Sequence, residues 1–167
     1  VLGHVGRFMT QKNHNRLLEI FCEVHYKNPS SKLLLVGEGE LMDTIHEKAH
    51  LLHLEDDVIL VGNQAEMSKW YQAMDVFVMP SLFEGLPVAG IEAQAAGLPC
   101  VFSNVVSPEA ALIDEVRYIS LNSSDSEWAD TILSFADYQR YNTHKEIKEA
   151  GYDICIEANR LKDIYTQ

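Results

Sequence analysis

The residues best equipped for chemistry cluster in three glycine-bearing turns, each following an apolar run. In the first, GHVGRFMTQKNH, Arg7 and Lys12 frame a loop that begins at Gly6. A guanidinium grips a diphosphate as a fork and an ammonium as a point charge. The competing reading pairs Arg7 with a nearby carboxylate and leaves Lys12 solvated. In the second turn, PSLFEGLPVAGIEAQAAGLP, an apolar run stops at Pro80, a loop passes Gly85, and a helix is expected from Val88. Backbone N–H groups at Gly85, Leu86 and Val88 and the positive end of that helix would suit a phosphate. Glu84 and Glu92 bracket this turn, and a carboxylate can accept two hydrogen bonds from a vicinal diol. The competing reading is a structural turn with Glu92 as a solvated helix residue. The third turn, LLLVGEGE, offers Gly37 and Gly39 for close backbone approach to a ligand.

Other chemistries find less support. Neither GxGxxG nor GxxxxGK[ST] occurs, which weighs against dinucleotide and Walker-type sites, and no GxSxG elbow marks a hydrolase. His46, His50 and His53 are spaced to share one side of a helix, either as a metal-binding face or as a solvated flank, and the second is favoured. His4 and His14 lie near the Arg7 loop, either lining it or packed beneath it. Trp70 and Trp128 read as packing anchors.

The chain carries 13 Lys plus Arg against 25 Asp plus Glu, a net charge of −12. That balance argues against nucleic acid and against an anionic membrane surface, yet leaves room for a small anionic ligand held by a few local cations. Cys22, Cys100 and Cys155 are widely spaced without a CxxC, which points to a reducing, cytosolic compartment. No apolar stretch reaches membrane-spanning length. The start at Val1, inside an apolar run, reads as a piece of a longer protein.

The elements that must position these turns alternate between strand and helix. Strands are expected at 1–6, 32–36, 58–61, 76–79, 100–103 and 117–120. Helices are expected at 41–52, 67–74, 88–96, 126–136 and 154–165, with shorter ones near 108–113 and Thr143. Asn13 is expected to cap a further helix bearing Leu17, Leu18, Phe21 and Val24, and Gly97 to end the helix from Val88 in a left-handed cap. Runs such as KLLLV and VFVMP are apolar on both faces, as in buried parallel strands. The fold class is therefore α/β: a doubly wound, Rossmann-like, three-layer single domain with a mostly parallel sheet of about six strands. Ligands bind such sheets at the carboxyl ends of the strands, which selects loops 7–13, 37–40, 62–65 and 81–88.

Taken together, GRF…K, LLLVGEGE, VILVGN, DVFVMPS, EGLPVAGIEA and AAGLPCV, in this order and spacing, resemble the C-terminal domain of retaining family 4 glycosyltransferases. The closest look is to the capsular and exopolysaccharide branch. The most specific element is Glu84 and Glu92, with seven residues between them. The resemblance implies the C-terminal half of a GT-B fold that binds a nucleotide-diphosphate sugar, more often of UDP than GDP, and transfers a hexose with retention and without a metal or other cofactor. It implies that Arg7 and Lys12 contact the diphosphate and that Glu84 sits by the donor sugar. It implies that Glu92 holds the ribose hydroxyls, that Gly85, Leu86, Pro87 and Val88 form the turn against sugar and phosphate, and that Gly6, Gly37, Glu38 and Asn63 lie near the nucleotide. A saccharide or lipid-linked acceptor would bind an N-terminal domain that this chain lacks, leaving the chain inactive by itself. The whole protein would sit in the cytoplasm or at the inner membrane face. A GT-B-type nucleotide-sugar epimerase and a non-catalytic Rossmann-like binding module are the alternatives.

Overall fold

The computed structural model describes residues 1–166. Six strands form one parallel sheet: β1 (Leu2–Val5), β2 (Leu33–Val36), β3 (Val58–Leu60), β4 (Val76–Met79), β5 (Cys100–Ser103) and β6 (Val116–Ile119). Their spatial order is β3-β2-β1-β4-β5-β6. The helices are α1 (His14–Lys27), α2 (Met42–Leu51), α3 (Ser68–Gln72), α4 (Val88–Ala95), α5 (Asp125–Leu133), α6 (His144–Glu149) and α7 (Ile154–Tyr165). The expected α/β class holds, and the order is that of a doubly wound sheet whose direction of travel switches between β1 and β4.

Burial explains why these runs became strands. Every residue of β2, β4 and β5 is buried, so both faces need apolar side chains. On one face Leu17, Leu18, Phe21 and Val24 of α1 pack with Trp128 and Ile132 of α5 over Leu33, Leu35 and Val78. On the other, Tyr71, Met74, Ala93 and Leu98 pack over Phe77, Cys100 and Phe102. Each large apolar side chain so buried contributes about 1.5–3 kcal/mol before entropy is counted. The indole N–H of Trp128 donates to Ser120 O at 3.1 Å, so its polar handle is satisfied. Trp70 is only half-buried against the second layer, with Lys69 over its ring, and is less of an anchor than its type suggests.

Some local expectations are corrected. Asn13 precedes α1 but has φ 55° and no capping hydrogen bond; its amide instead donates to Pro80 O at 3.1 Å. The loop after β4 thus recruits the side chain that would have capped the helix. The segment 67–74 is helical only over Ser68–Gln72, because Met74 turns inward and fills the space above Gly3. His53 lies beyond the end of α2 in a left-handed conformation, so it does not share a helical face with His46 and His50. Gly97 ends α4 with φ 74°, as expected.

Gly37 is the residue on which the sheet edge turns. Its φ is +137°, and a Cβ there would come within 2.2 Å of Gly6 O. Gly37→Ala is expected to cost roughly 2–4 kcal/mol from backbone strain and displacement of the β1 loop. Gly85→Ala, where nothing lies within 4 Å of the added carbon, is expected to stay within about 0.5 kcal/mol. Urea melts of both variants check the contrast.

Candidate functional site

Because β1 lies between β2 and β4, the loop that leaves it touches the loops that leave both neighbours. On one side Phe8 N donates to Glu38 O at 3.0 Å and Leu41 N to Phe8 O at 3.1 Å. On the other, Leu82 N donates to Gln11 O at 2.8 Å and the Gln11 amide to Phe83 O at 2.9 Å. Gly37 N donates to Gly62 O at 2.8 Å, which brings in the β3 loop. The four loops selected from the sequence therefore meet at one sheet edge.

Gly6, Arg7, Gly37, Glu38 and Asn63 line a cleft of about 320 Å³, together with Met67. Glu38 Oε1 accepts from Asn63 N at 3.3 Å and closes one end. Arg7 is exposed, and among the described residues it makes no ion pair. Lys12 sits on the other side of Gly6: a Cβ built on that glycine would lie 3.2 Å from the Lys12 stem. Its ammonium pairs with Glu84 at 2.7 Å, and the two side chains are 17% and 6% exposed. Lys12 and Glu84, assigned separately from the sequence, thus form a single ion pair. A carboxylate offers about four acceptor positions, so Glu84 can keep Lys12 and still receive a hydroxyl.

The β4 loop then leads into α4. Pro87 is buried while Gly85, Leu86 and Val88 are exposed. No side chain caps α4 and its first turn carries no acid, so the helix start presents amide N–H groups to solvent. Glu92 is exposed one turn further along, and its Oε2 accepts from the Tyr71 hydroxyl at 2.7 Å. Tyr71 was not singled out from the sequence; an aromatic residue in a short helix of an α/β domain reads as core, and it is that as well.

Two histidines lie under this edge. His4 Nδ1 is 2.8 Å from Val78 O, so that nitrogen carries the proton and Nε2 is bare. The His14 ring stacks on Phe8 at 4.2 Å and meets His4 edge-on at 4.8 Å. Burial, chiefly, lowers the His4 pKa to about 4 and the His14 pKa to about 2. Burial thus holds both rings neutral where they pack beneath the loop. Among the described residues no group of three or more His, Cys, Asp or Glu could hold a metal ion.

The doubly wound α/β domain thus brings a cationic loop, an uncapped helix start and two carboxylates to its switch point, an arrangement suited to an anionic ligand. The profile of the family described as Glycosyl transferases group 1 matches residues 1–154, and the chain belongs to that family. A putative glycosyltransferase of Bacillus subtilis (strain 168), EpsF, is 36% identical over 169 residues, covering 99% of this chain and 44% of the relative. The Escherichia coli UDP-Gal:α-D-GlcNAc-diphosphoundecaprenol α-1,3-galactosyltransferase is 32% identical over 174 residues, covering 99% and 45%. The chain therefore spans less than half the length of these curated relatives. Among solved structures, a mutant of Staphylococcus aureus TarM in complex with fondaparinux, α-GlcNAc-glycerol and UDP superimposes with a TM-score of 0.83 at 23% identity, covering 99% of this chain and 35% of TarM. The pneumococcal O-GlcNAc transferase GtfA with UDP and GlcNAc gives 0.80 at 20%, covering 98% and 34%.

Two outcomes are expected of this geometry. Lys12→Ala leaves the Glu84 carboxylate buried and unpaired and is expected to cost on the order of 2–4 kcal/mol, whereas the exposed Arg7→Ala is expected to change stability by under about 0.5 kcal/mol. Denaturant melts compare them. His4 and His14 have folded-state pKa values below their ordinary 6.5. The unfolded chain therefore binds more protons between pH 6.5 and 4, and the stability they confer is complete above 6.5 and falls with pH below it. Each group costs up to about 1.4 kcal/mol per pH unit. The stability of His14→Phe is expected to fall less between pH 7 and 5 than that of wild type, by melts at both pH values.

Proposed function

We propose that this chain is the donor-binding half of a retaining glycosyltransferase that moves a hexose from a nucleotide-diphosphate sugar to a saccharide or lipid-linked acceptor in polysaccharide biosynthesis. The observation that carries this reading is the convergence of Arg7, the Lys12–Glu84 pair and the α4 start on one sheet edge, with Glu92 alongside. The E. coli relative is named for a UDP-Gal donor, and both of the similar structures described above hold UDP, which favours a uridine diphosphate donor.

In this reading the nucleotide lies over the cleft beside Gly6, Gly37, Glu38 and Asn63, and Glu92 accepts the ribose hydroxyls. Arg7 and Lys12 face the diphosphate, while Glu84 and the Gly85–Val88 turn face the sugar. Cleavage of the glycosyl–phosphate bond drives negative charge onto the departing diphosphate. The two cations and the N–H groups of α4 are in place before that charge develops, which lowers the barrier. Charge of this kind is handled by side chains and backbone, so the reading calls on no metal. Acceptor contacts lie outside this chain, and by itself the chain is expected to bind nucleotide weakly and transfer nothing.

Titration of the chain with UDP and GDP, followed by amide NMR, is expected to shift Gly6, Arg7, Gly37 and Glu92 together. Silence at these positions, or sugar transfer by the 167-residue chain, overturns the reading. In the whole enzyme Arg7→Ala is expected to lower kcat by roughly 100-fold, because the charge it meets grows in the transition state. An effect confined to KM contradicts that role.

A further inference from the structure

Glu92 does not stand free on α4. The Tyr71 hydroxyl lies 2.7 Å from Glu92 Oε2 and 3.3 Å from Ala89 O. A phenol has one proton to give, and the shorter, charge-assisted contact takes it. Tyr71 itself is 3% exposed. Its ring leans on Phe77 of β4 with centroids 6.3 Å apart, and its backbone N–H donates to Met67 O at 3.2 Å. Met67 lines the same cleft as Gly6, Arg7, Glu38 and Asn63. Burial and the neighbouring Glu92 raise the Tyr71 pKa well above the usual phenol range, so the hydroxyl remains a donor. An exposed glutamate on a helix ordinarily samples several rotamers; this one is tied to a buried ring packed against Phe77 of the sheet.

We propose that Tyr71 is a positioning residue that pins one oxygen of Glu92, leaving the second for the pentose hydroxyls, and so makes nucleotide binding selective for ribose over deoxyribose. The inference rests on the reading of Glu92 as the ribose acceptor. A vicinal diol needs both of its hydrogen bonds at once, and a carboxylate already held in one rotamer loses less freedom in making them. Tyr71 acts through Glu92 and touches no reacting atom.

The test is calorimetric titration of the chain with UDP and with its 2′,3′-dideoxy analogue, for wild type, Tyr71→Phe, Glu92→Gln and the double variant. Wild type is expected to prefer UDP by about tenfold. Tyr71→Phe, which keeps the packed ring, is expected to reduce that preference to roughly threefold, with affinity for the dideoxy analogue and the melting temperature unchanged. Glu92→Gln is expected to abolish the preference, and Tyr71→Phe to remove nothing further from it. Should Tyr71→Phe fail to fold, Tyr71→Leu, which fills the buried site without a hydroxyl and leaves Glu92 intact, is expected to lose preference in the same way. If Glu92→Gln loses the preference while Tyr71→Phe or Tyr71→Leu keeps it in full, the pinning role is overturned and the ribose reading of Glu92 stands. Equal weakening of both nucleotides by Tyr71→Phe also overturns it, as a packing effect. If wild type shows no preference, or binds neither nucleotide, the reading of Glu92 fails and this inference falls with it.

Discussion

The site depends on one constraint: the loop leaving β1 is hydrogen-bonded simultaneously to the loops leaving β2 and β4. That arrangement follows from strand order, since only a central strand has a neighbour on each side whose carboxyl end it can reach. The contacts are backbone-rich, from Phe8 to Glu38 and Leu41 on one flank and from Gln11 to Leu82 and Phe83 on the other. They oblige Gly37 and Gly39 to come within bonding range of the β1 loop, which leaves no room for side chains at either position. Arg7 and Lys12 are therefore held by a scaffold, although they sit on a loop.

Electrostatics adds a second requirement. In an acidic protein, two cations at one edge must avoid being neutralised by the surplus of carboxylates. Arg7 meets this by exposure in a cleft where Glu38, an acid of the same lining, accepts from a backbone N–H instead. Lys12 does the opposite and is paired with Glu84 in a largely buried contact. The pair ties loop 7–13 to the β4 loop and keeps both charges at the edge, so in the proposed reading one contact serves folding and chemistry. Substitutions at Lys12 consequently confound the two, while those at Arg7 separate them.

Much of this was legible in the sequence because it is written in local patterns. Doubly apolar runs marked β2 and β4, the helix-ending Gly97 took its left-handed conformation, and the parallel-sheet rule selected the four loops that meet. What was not legible depends on pairs distant in the chain. Asn13 has the composition of a helix cap, but the carbonyl of Pro80 outcompetes the α1 amides for it. Met74 reads as the last turn of a helix, yet Gly3 leaves a hole in the facing sheet that only a long flexible side chain fills. Tyr71 carries no signal at all, since its partner lies 21 residues away on another helix.

The buried histidines show how such distant packing shapes the chemistry. His4 and His14 lie close enough to Lys12 to feel its charge, and in the proposed reading a second positive charge there would oppose the ammonium and weaken its hold on an incoming anion. Burial is the largest cause keeping both rings neutral, with Lys12 itself contributing in the same direction. The His4 proton is committed to Val78 O, so the ring presents only a lone pair toward Gly6 and the Lys12 stem. A neutral acceptor beneath the ammonium adds no further positive charge beside the Lys12–Glu84 pair. The aromatic stack of Phe8 on His14 seals that floor against water. In the proposed reading this buried floor belongs to the diphosphate site, because in a wetter, higher-dielectric setting the same lysine would attract an anion less strongly.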